Sequence, residues 1–176
     1  VYLTKNTVYK EVDVPKRTVV LDETKYSCSG VVRMNDLNGN IKDLKCKMVG
    51  WIGIHSSIDN EVLKRNSKSG GKIQNHPNAL RLYVRGKLAV NNLMNYVGST
   101  AAFAPYIEGE ISFDVLDDDL YEDASTSNRE GYSVSDPRIK ELINIVSKII
   151  TSLVIERNKA GAEINRQILS IKAKKE

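Results

Sequence analysis

The chain has two cysteines, two histidines, four prolines, two phenylalanines and one tryptophan among its 176 residues, and each scarcity removes a class of chemistry. Cys28 and Cys46 lack a CxxC spacing and have only His55 and His76 as possible nitrogen ligands, so no metal site is expected. They read as two reduced, partly buried thiols. No apolar run is long enough to cross a membrane. No basic, apolar, small-residue signal pattern follows Val1, so nothing points to export and the expected compartment is cytoplasmic. His55 has no cysteine or serine nucleophile in a recognisable setting, and reads as a strand-end surface histidine. The glycine-rich basic stretch from Ser67 to Asn78, SKSGGKIQNHPN, lacks the GxxxxGK[ST] spacing of a phosphate-cradling loop and is followed by no helix start.

What is present is an ordinary globular composition, with 41% hydrophobic and 27% charged residues, enough for one domain or one domain with an extended element. A net charge of +4 hints at an acidic partner. The basic residues are spread along the chain, so a solvated basic surface is the first reading, with nucleic acid as the alternative partner of this piece or of a parent protein. A start at Val1 in mid-pattern suggests an excised fragment.

In order along the chain, Val1 to Lys16 is a loosely alternating edge segment or linker closed by Pro15. Thr18 to Leu21 is a short β-branched run, and Tyr26 to Met34 is a strand. Asn38-Gly39, lying between Met34 and Ile41, is the strongest hairpin signal, because both residue types tolerate positive φ. The return strand is expected from Ile41 to Ile54, with Trp51 at the core or its edge. Ile58 to Lys64 could form one or two helical turns, and Asn66 to Asn78 is a loop. Ala79 to Val84 is a strand with Leu80, Leu82 and Val84 inward. The spacing of Leu88, Val90, Leu93, Met94 and Val97 predicts a short amphipathic helix beyond Gly86. Ser99 to Pro105 is a small-residue connection. Strands, a short helix and a further strand make the fold class α+β.

The chain is organised around Ile107 to Tyr132. Glu108 to Leu116 alternates as a strand with Ile111, Phe113 and Val115 inward. It runs into Asp117, Asp118 and Asp119 and then a Ser/Thr/Asn-rich loop whose single cation is Arg129. A charged loop at the end of a buried strand is a common place for chemistry, because the strand fixes it while it stays wet. Ser135-Asp136-Pro137 then starts a helix, with Asp136 as N-cap and Pro137 at the first helical position. The apolar stripe is Ile139, Leu142, Ile143, Val146, Ile149, Ile150 and Leu153, followed by Ala160, Ile164, Ile168 and Ile171. Gly161 weakens the helix by about 1 kcal/mol relative to alanine. The last third of the helix either packs on another chain or domain, or is a fraying tail.

Two stretches carry a family resemblance. ALRLYVRGKL from Ala79, and PYIEGEISFDVLDDDLYEDASTSNRE from Pro105 followed by a long helix, resemble the middle segment of the heat-shock-ninety chaperones. There a strand LYVRR precedes a tyrosine-containing turn, a strand ending in an acidic run, and an asparagine/serine-arginine-glutamate loop. RGKL also resembles the FVNGR strand of the MutL mismatch-repair proteins. Both are GHKL ATPases, in which this transducer segment follows the ATP-binding domain. The resemblance covers roughly Trp51 to Leu153 and is most specific from Asp117 to Glu130.

The resemblance implies a ribosomal-protein-S5-like mixed sheet with helices on one face over residues 1–134, and a long helix over 135–176. In the family the loop arginine reaches the γ-phosphate of ATP in the preceding domain, and Arg129 stands at that position, between Asn128 and Glu130. Without the family's ATP-binding domain, ATP and Mg are expected only in a parent protein. The alternative role for Arg129 is a brace to Asp117, Asp118 or Asp119. A homodimer through the C-terminal helix is expected. The alternative for the whole chain is a stand-alone interaction module that dimerises through that helix. A hydrolase using His55 and the aspartates is weakest, since adjacent carboxylates have no apolar setting to split their pKa values.

Overall fold

A computed structural model describes residues 27–54, 78–126 and 131–173. The expected segments at Val1 to Lys16, Thr18 to Leu21, Ile58 to Lys64 and all but the end of Asn66 to Asn78 lie outside these residues, as do His55 and His76. What is described is a mixed α+β structure of two sheets and one long C-terminal helix.

Strands β1 (Ser29–Asn35) and β2 (Ile41–Lys47) pair antiparallel over their whole length, Ser29 opposite Lys47 and Asn35 opposite Ile41. The expected hairpin is present, but its organiser is Asp36. The Asp36 carboxylate accepts the backbone N–H groups of Asn38 (2.9 Å) and Asn40 (2.8 Å) and pairs with Lys42 Nζ (2.8 Å). Of Asn38 and Gly39, only Gly39 takes positive φ (79°).

The return strand expected from Ile41 to Ile54 is broken. β1 supplies partners only back to Cys28, whose carbonyl accepts the Met48 N–H at 2.8 Å. Beyond Met48 the chain changes sheet and becomes β3 (Val49–Ile54). This strand pairs antiparallel with β6 (Ile107–Ser112), which runs parallel to β4 (Leu80–Val84), which is antiparallel to β5 (Lys87–Val90). The order of the second sheet is therefore β3-β6-β4-β5. Leu80, Leu82 and Val84 point inward as expected, and Trp51 is half-buried.

The amphipathic helix expected from Leu88 to Val97 is not formed. Arg85 and Gly86 both adopt positive φ, 47° and 75°. They make a two-residue turn of the kind whose twist matches a β-hairpin, with Val84 opposite Lys87. Leu88 and Val90 are therefore strand residues, and only Leu93–Tyr96 winds, as a 3-10 turn capped by Asn92 Oδ1 accepting the Met94 N–H at 3.1 Å. A second 3-10 segment, Gly98–Tyr106, leads into β6.

Helix α1 (Pro137–Ala173) starts where expected, and Asp136 Oδ1 accepts the Arg138 N–H at 2.8 Å, as an N-cap does. Its buried stripe is Ile139, Leu142, Ile145, Val146, Ile149, Ile150 and Leu153, with Ile143 half-buried. Ile145 thus takes a core place that the sequence reading gave to Ile143. The stripe joins Val32 and Cys46 of the two-stranded ribbon with Ile52, Leu82 and Ile111 of the second sheet in one core. At about 25 cal/mol per Å² of apolar surface, fully burying each large aliphatic side chain contributes about 1.5 to 3 kcal/mol, so the helix and both sheets hold each other together. Farther along, the Arg157 guanidinium lies 4.4 Å from the centroid of the Tyr106 ring. Among the described residues no helix is long and apolar enough to cross a membrane.

Candidate functional site

β6 delivers the chain to the acidic stretch, but the strand ends at Ser112, short of the expected Leu116. The apolar spacing changes from two to three at Phe113 and Leu116, both buried, and Asp114–Asp117 accordingly form a 3-10 turn with Val115 half-buried. The turn lies against the β4–β5 hairpin. Asp114 Oδ1 accepts the Arg85 N–H at 2.7 Å. The Arg85 side chain reaches Asp117, with Nε 3.1 Å from Oδ2 and a terminal nitrogen donating to the Asp117 carbonyl. An arginine in the left-handed region costs about 1 to 2 kcal/mol, and these contacts offset it.

Asp118 closes an Asx turn by accepting the Leu120 N–H at 3.0 Å. The Leu120 carbonyl accepts the Leu37 N–H at 2.9 Å, which joins the acidic stretch to the β1–β2 turn.

The loop then narrows to a neck. Tyr121 and Ala124 are buried, and Ser125 and Tyr132 form an isolated antiparallel bridge. Thr126 N–H donates to the Gly131 carbonyl (2.8 Å) and Ser133 N–H to the Ala124 carbonyl (2.9 Å). The Tyr132 N–H donates to the hydroxyl of Tyr96 at 3.2 Å, so the 3-10 turn clamps the neck from the side. A Cβ added at Gly131 would overlap that hydroxyl, so a larger residue there would force the Tyr96 side chain to shift. Burial first, and then the charges of Asp123 and Asp117, push the Tyr132 phenol above its ordinary range. It stays protonated at neutral pH.

Beneath the neck lies a residue the sequence reading missed. Arg138 is completely buried, and its guanidinium forks onto the N-cap, with Nε 3.1 Å from Asp136 Oδ1 and Nη2 2.8 Å from Oδ2. The same group donates to the carbonyls of Glu122 (2.6 Å) and Val115 (3.4 Å) and lies 6.0 Å from the Tyr121 ring centroid. One side chain thereby holds the start of α1, the first half of the Asp114–Asp117 turn and the entry to the neck. A signal for it existed: Arg138 is four residues before Leu142 and so continues the buried stripe of the helix by one turn.

The candidate residues Asn128, Arg129 and Glu130 fall between Thr126 and Gly131, outside the described residues. Cys28 and Cys46 are buried thiols that form no disulfide. Burial, with Glu141 nearby, pushes the Cys46 thiol up to about 11, so it is no thiolate nucleophile at neutral pH. Among the described residues no group of three or more His, Cys, Asp or Glu side chains could hold a metal ion.

Comparison of the chain with protein-family models, with curated proteins and with solved structures returns no match.

Proposed function

We propose that the chain is the transducer segment of a GHKL-type ATPase of the heat-shock-ninety or MutL kind, with an S5-like arrangement of its second sheet. In this reading Arg129 reaches from the loop to the γ-phosphate of ATP held with Mg by a separate N-terminal domain. Asn128 and Glu130 shape the approach, and the helix passes the nucleotide state on. The observation that carries it is the neck. Thr126 and Gly131, on either side of 127–130, are hydrogen-bonded to each other, and the base of this neck is tied to α1 through Arg138, which is the footing that a loop presented to a neighbouring domain requires. The brace reading is weakened because Asp117, first of the three aspartates, already has a cation in Arg85. A guanidinium is permanently charged and forks onto phosphate oxygens, and it can meet charge developing on a departing phosphoryl group.

The decisive experiment is Arg129→Ala in the intact ATPase. Turnover is expected to fall about a hundredfold or more with nucleotide affinity changed less, lysine restoring only part. The isolated chain should keep its stability and bind Mg-ATP negligibly. Lost stability in the isolated chain with unaltered turnover in the parent removes the reading, as does a micromolar dissociation constant for Mg-ATP with the isolated chain.

A second reading, an interaction module pairing through its helix, has one observation in its favour. Helix α1 continues to Ala173, about 30 Å past Leu153 at 1.5 Å per residue. The length of the intact open reading frame separates the two readings: a nucleotide-binding domain of about 200 or more residues upstream of Val1 favours the first.

A further inference from the structure

We propose that Arg138 is a positioning residue that couples the start of helix α1 to the loop neck, so that the two move as one body. The functional meaning of this coupling rests on the transducer reading; its geometry does not. Arg138 is the only wholly buried charged side chain among the described residues, and it is spent on three elements at once. Its bidentate fork onto Asp136 fixes the helix N-terminus, because the same carboxylate caps the Arg138 N–H. Its remaining donors take the carbonyls of Glu122 and Val115, on the two sides of the exposed aspartates. A purely structural filler of that space would be apolar, since a buried ion pair is usually no more stabilising than a packed hydrophobic group. What the guanidinium adds is direction. Its planar fork fixes the angle between the helix start and the neck, which neither a point charge nor an alkyl chain reproduces.

The neck has a second holder in Tyr96, which belongs to the 3-10 turn Leu93–Tyr96 rather than to α1 and whose hydroxyl accepts the Tyr132 N–H. That separation makes the coupling measurable. Amide hydrogen exchange is followed in the 176-residue chain for Arg138→Lys, Arg138→Met and Tyr96→Phe. Three groups of amides are compared: the neck (Thr126, Tyr132, Ser133), the first helical turn (Lys140, donating to Asp136), and the sheet (Gly109, Phe113, donating to Ala79 and Tyr83).

Arg138→Lys is expected to speed exchange by about tenfold or more at the neck and at Lys140 together, with the sheet amides within about threefold of the unaltered chain. Tyr96→Phe should speed the neck alone. If Arg138→Met does not fold, the lysine variant decides. Equal acceleration of all three groups in Arg138→Lys makes Arg138 a stabilising residue only and overturns the coupling. No change at the neck, or change at the neck without Lys140, overturns it equally. These outcomes leave the transducer reading standing, which Arg129→Ala in the intact ATPase tests by turnover.

Discussion

The acidic loop is held at its outer side by Arg85 and at its base by Arg138, and the two places use the same ions in opposite surroundings. Arg85 and Asp117 are both more than half exposed, 54% and 59%. Arg138 and Asp136 are 0% and 13% exposed. The outer pair sits in water, where attraction is weak and screened and ordering two side chains uses most of the gain. The inner pair gave up its hydration on folding, so it adds little beyond a packed apolar pair while intact, but losing one member leaves the other charge stranded. The difference teaches that the base of the loop is where a substitution should be felt, and its outer side where it should be tolerated.

The largest effect is therefore expected for Arg138→Ala, which strands the Asp136 carboxylate and leaves the Glu122 and Val115 carbonyls without this donor. A loss of about 3 to 5 kcal/mol is predicted, as for one-sided removal of a buried pair. In a chain of this size that lowers Tm by roughly 10 °C, readable by calorimetry or urea unfolding.

Gly131→Ala comes next. Its Cβ collides with the Tyr96 hydroxyl, and overpacking of this kind costs about 1 to 3 kcal/mol. Adding Tyr96→Phe removes the colliding oxygen and should return most of the lost stability. A double variant as unstable as the single would place the strain elsewhere in the neck.

Arg85→Ala is expected to cost about 1 kcal/mol or less, and the difference should vanish in about 1 M salt, where the screening length falls to about 3 Å. The cost of Arg138→Ala should be nearly unmoved by salt. A salt-insensitive loss at Arg85 would show that its side-chain bond to the Asp117 carbonyl, not its ion pair, holds the outer side.

Asp36 is the intermediate case, a carboxylate 2% exposed facing a lysine 51% exposed. The Lys42 ammonium and the N–H groups of Asn40 and Asn38 lower its pKa from 3.8 to about 2. A depressed carboxylate stabilises the fold fully above its unfolded pKa, and that contribution is lost as protons bind on descent toward the folded value. Acid unfolding should therefore steepen between about pH 4 and pH 2, and Asp36→Asn should flatten that limb while leaving the slope near neutrality unchanged.

How much of this was legible in the sequence depends on how local each signal is. The hairpin at Asn38-Gly39, the inward set Leu80, Leu82 and Val84, and the helix start at Asp136-Pro137 are set by residues within one turn of each other, and each formed. The break at Met48 was not legible, because it depends on where a different strand, β1, runs out. The helix expected from Leu88 to Val97 failed because Arg85 takes a conformation that arginine disfavours. It is held there by Asp114, twenty-nine residues away. Strand β6 ended early because Leu116, not Val115, found the core. Of the candidate site, the acidic run and the helix cap were readable, while Asn128, Arg129 and Glu130 lie outside the described residues. Arg138 escaped because a charged residue on an apolar stripe looks like the end of the stripe.

The length of α1 gives its N-terminal attachment a mechanical meaning. Thirty-seven residues at 1.5 Å each make a rod of about 55 Å. Its first half is seated on two sheets, and its near end is bolted by one guanidinium. A reorientation of only about 5° at Pro137 would sweep Ala173 through roughly 5 Å at that rise per residue. A shift too small to break a hydrogen bond at the neck becomes, at the far end, the width of a side chain.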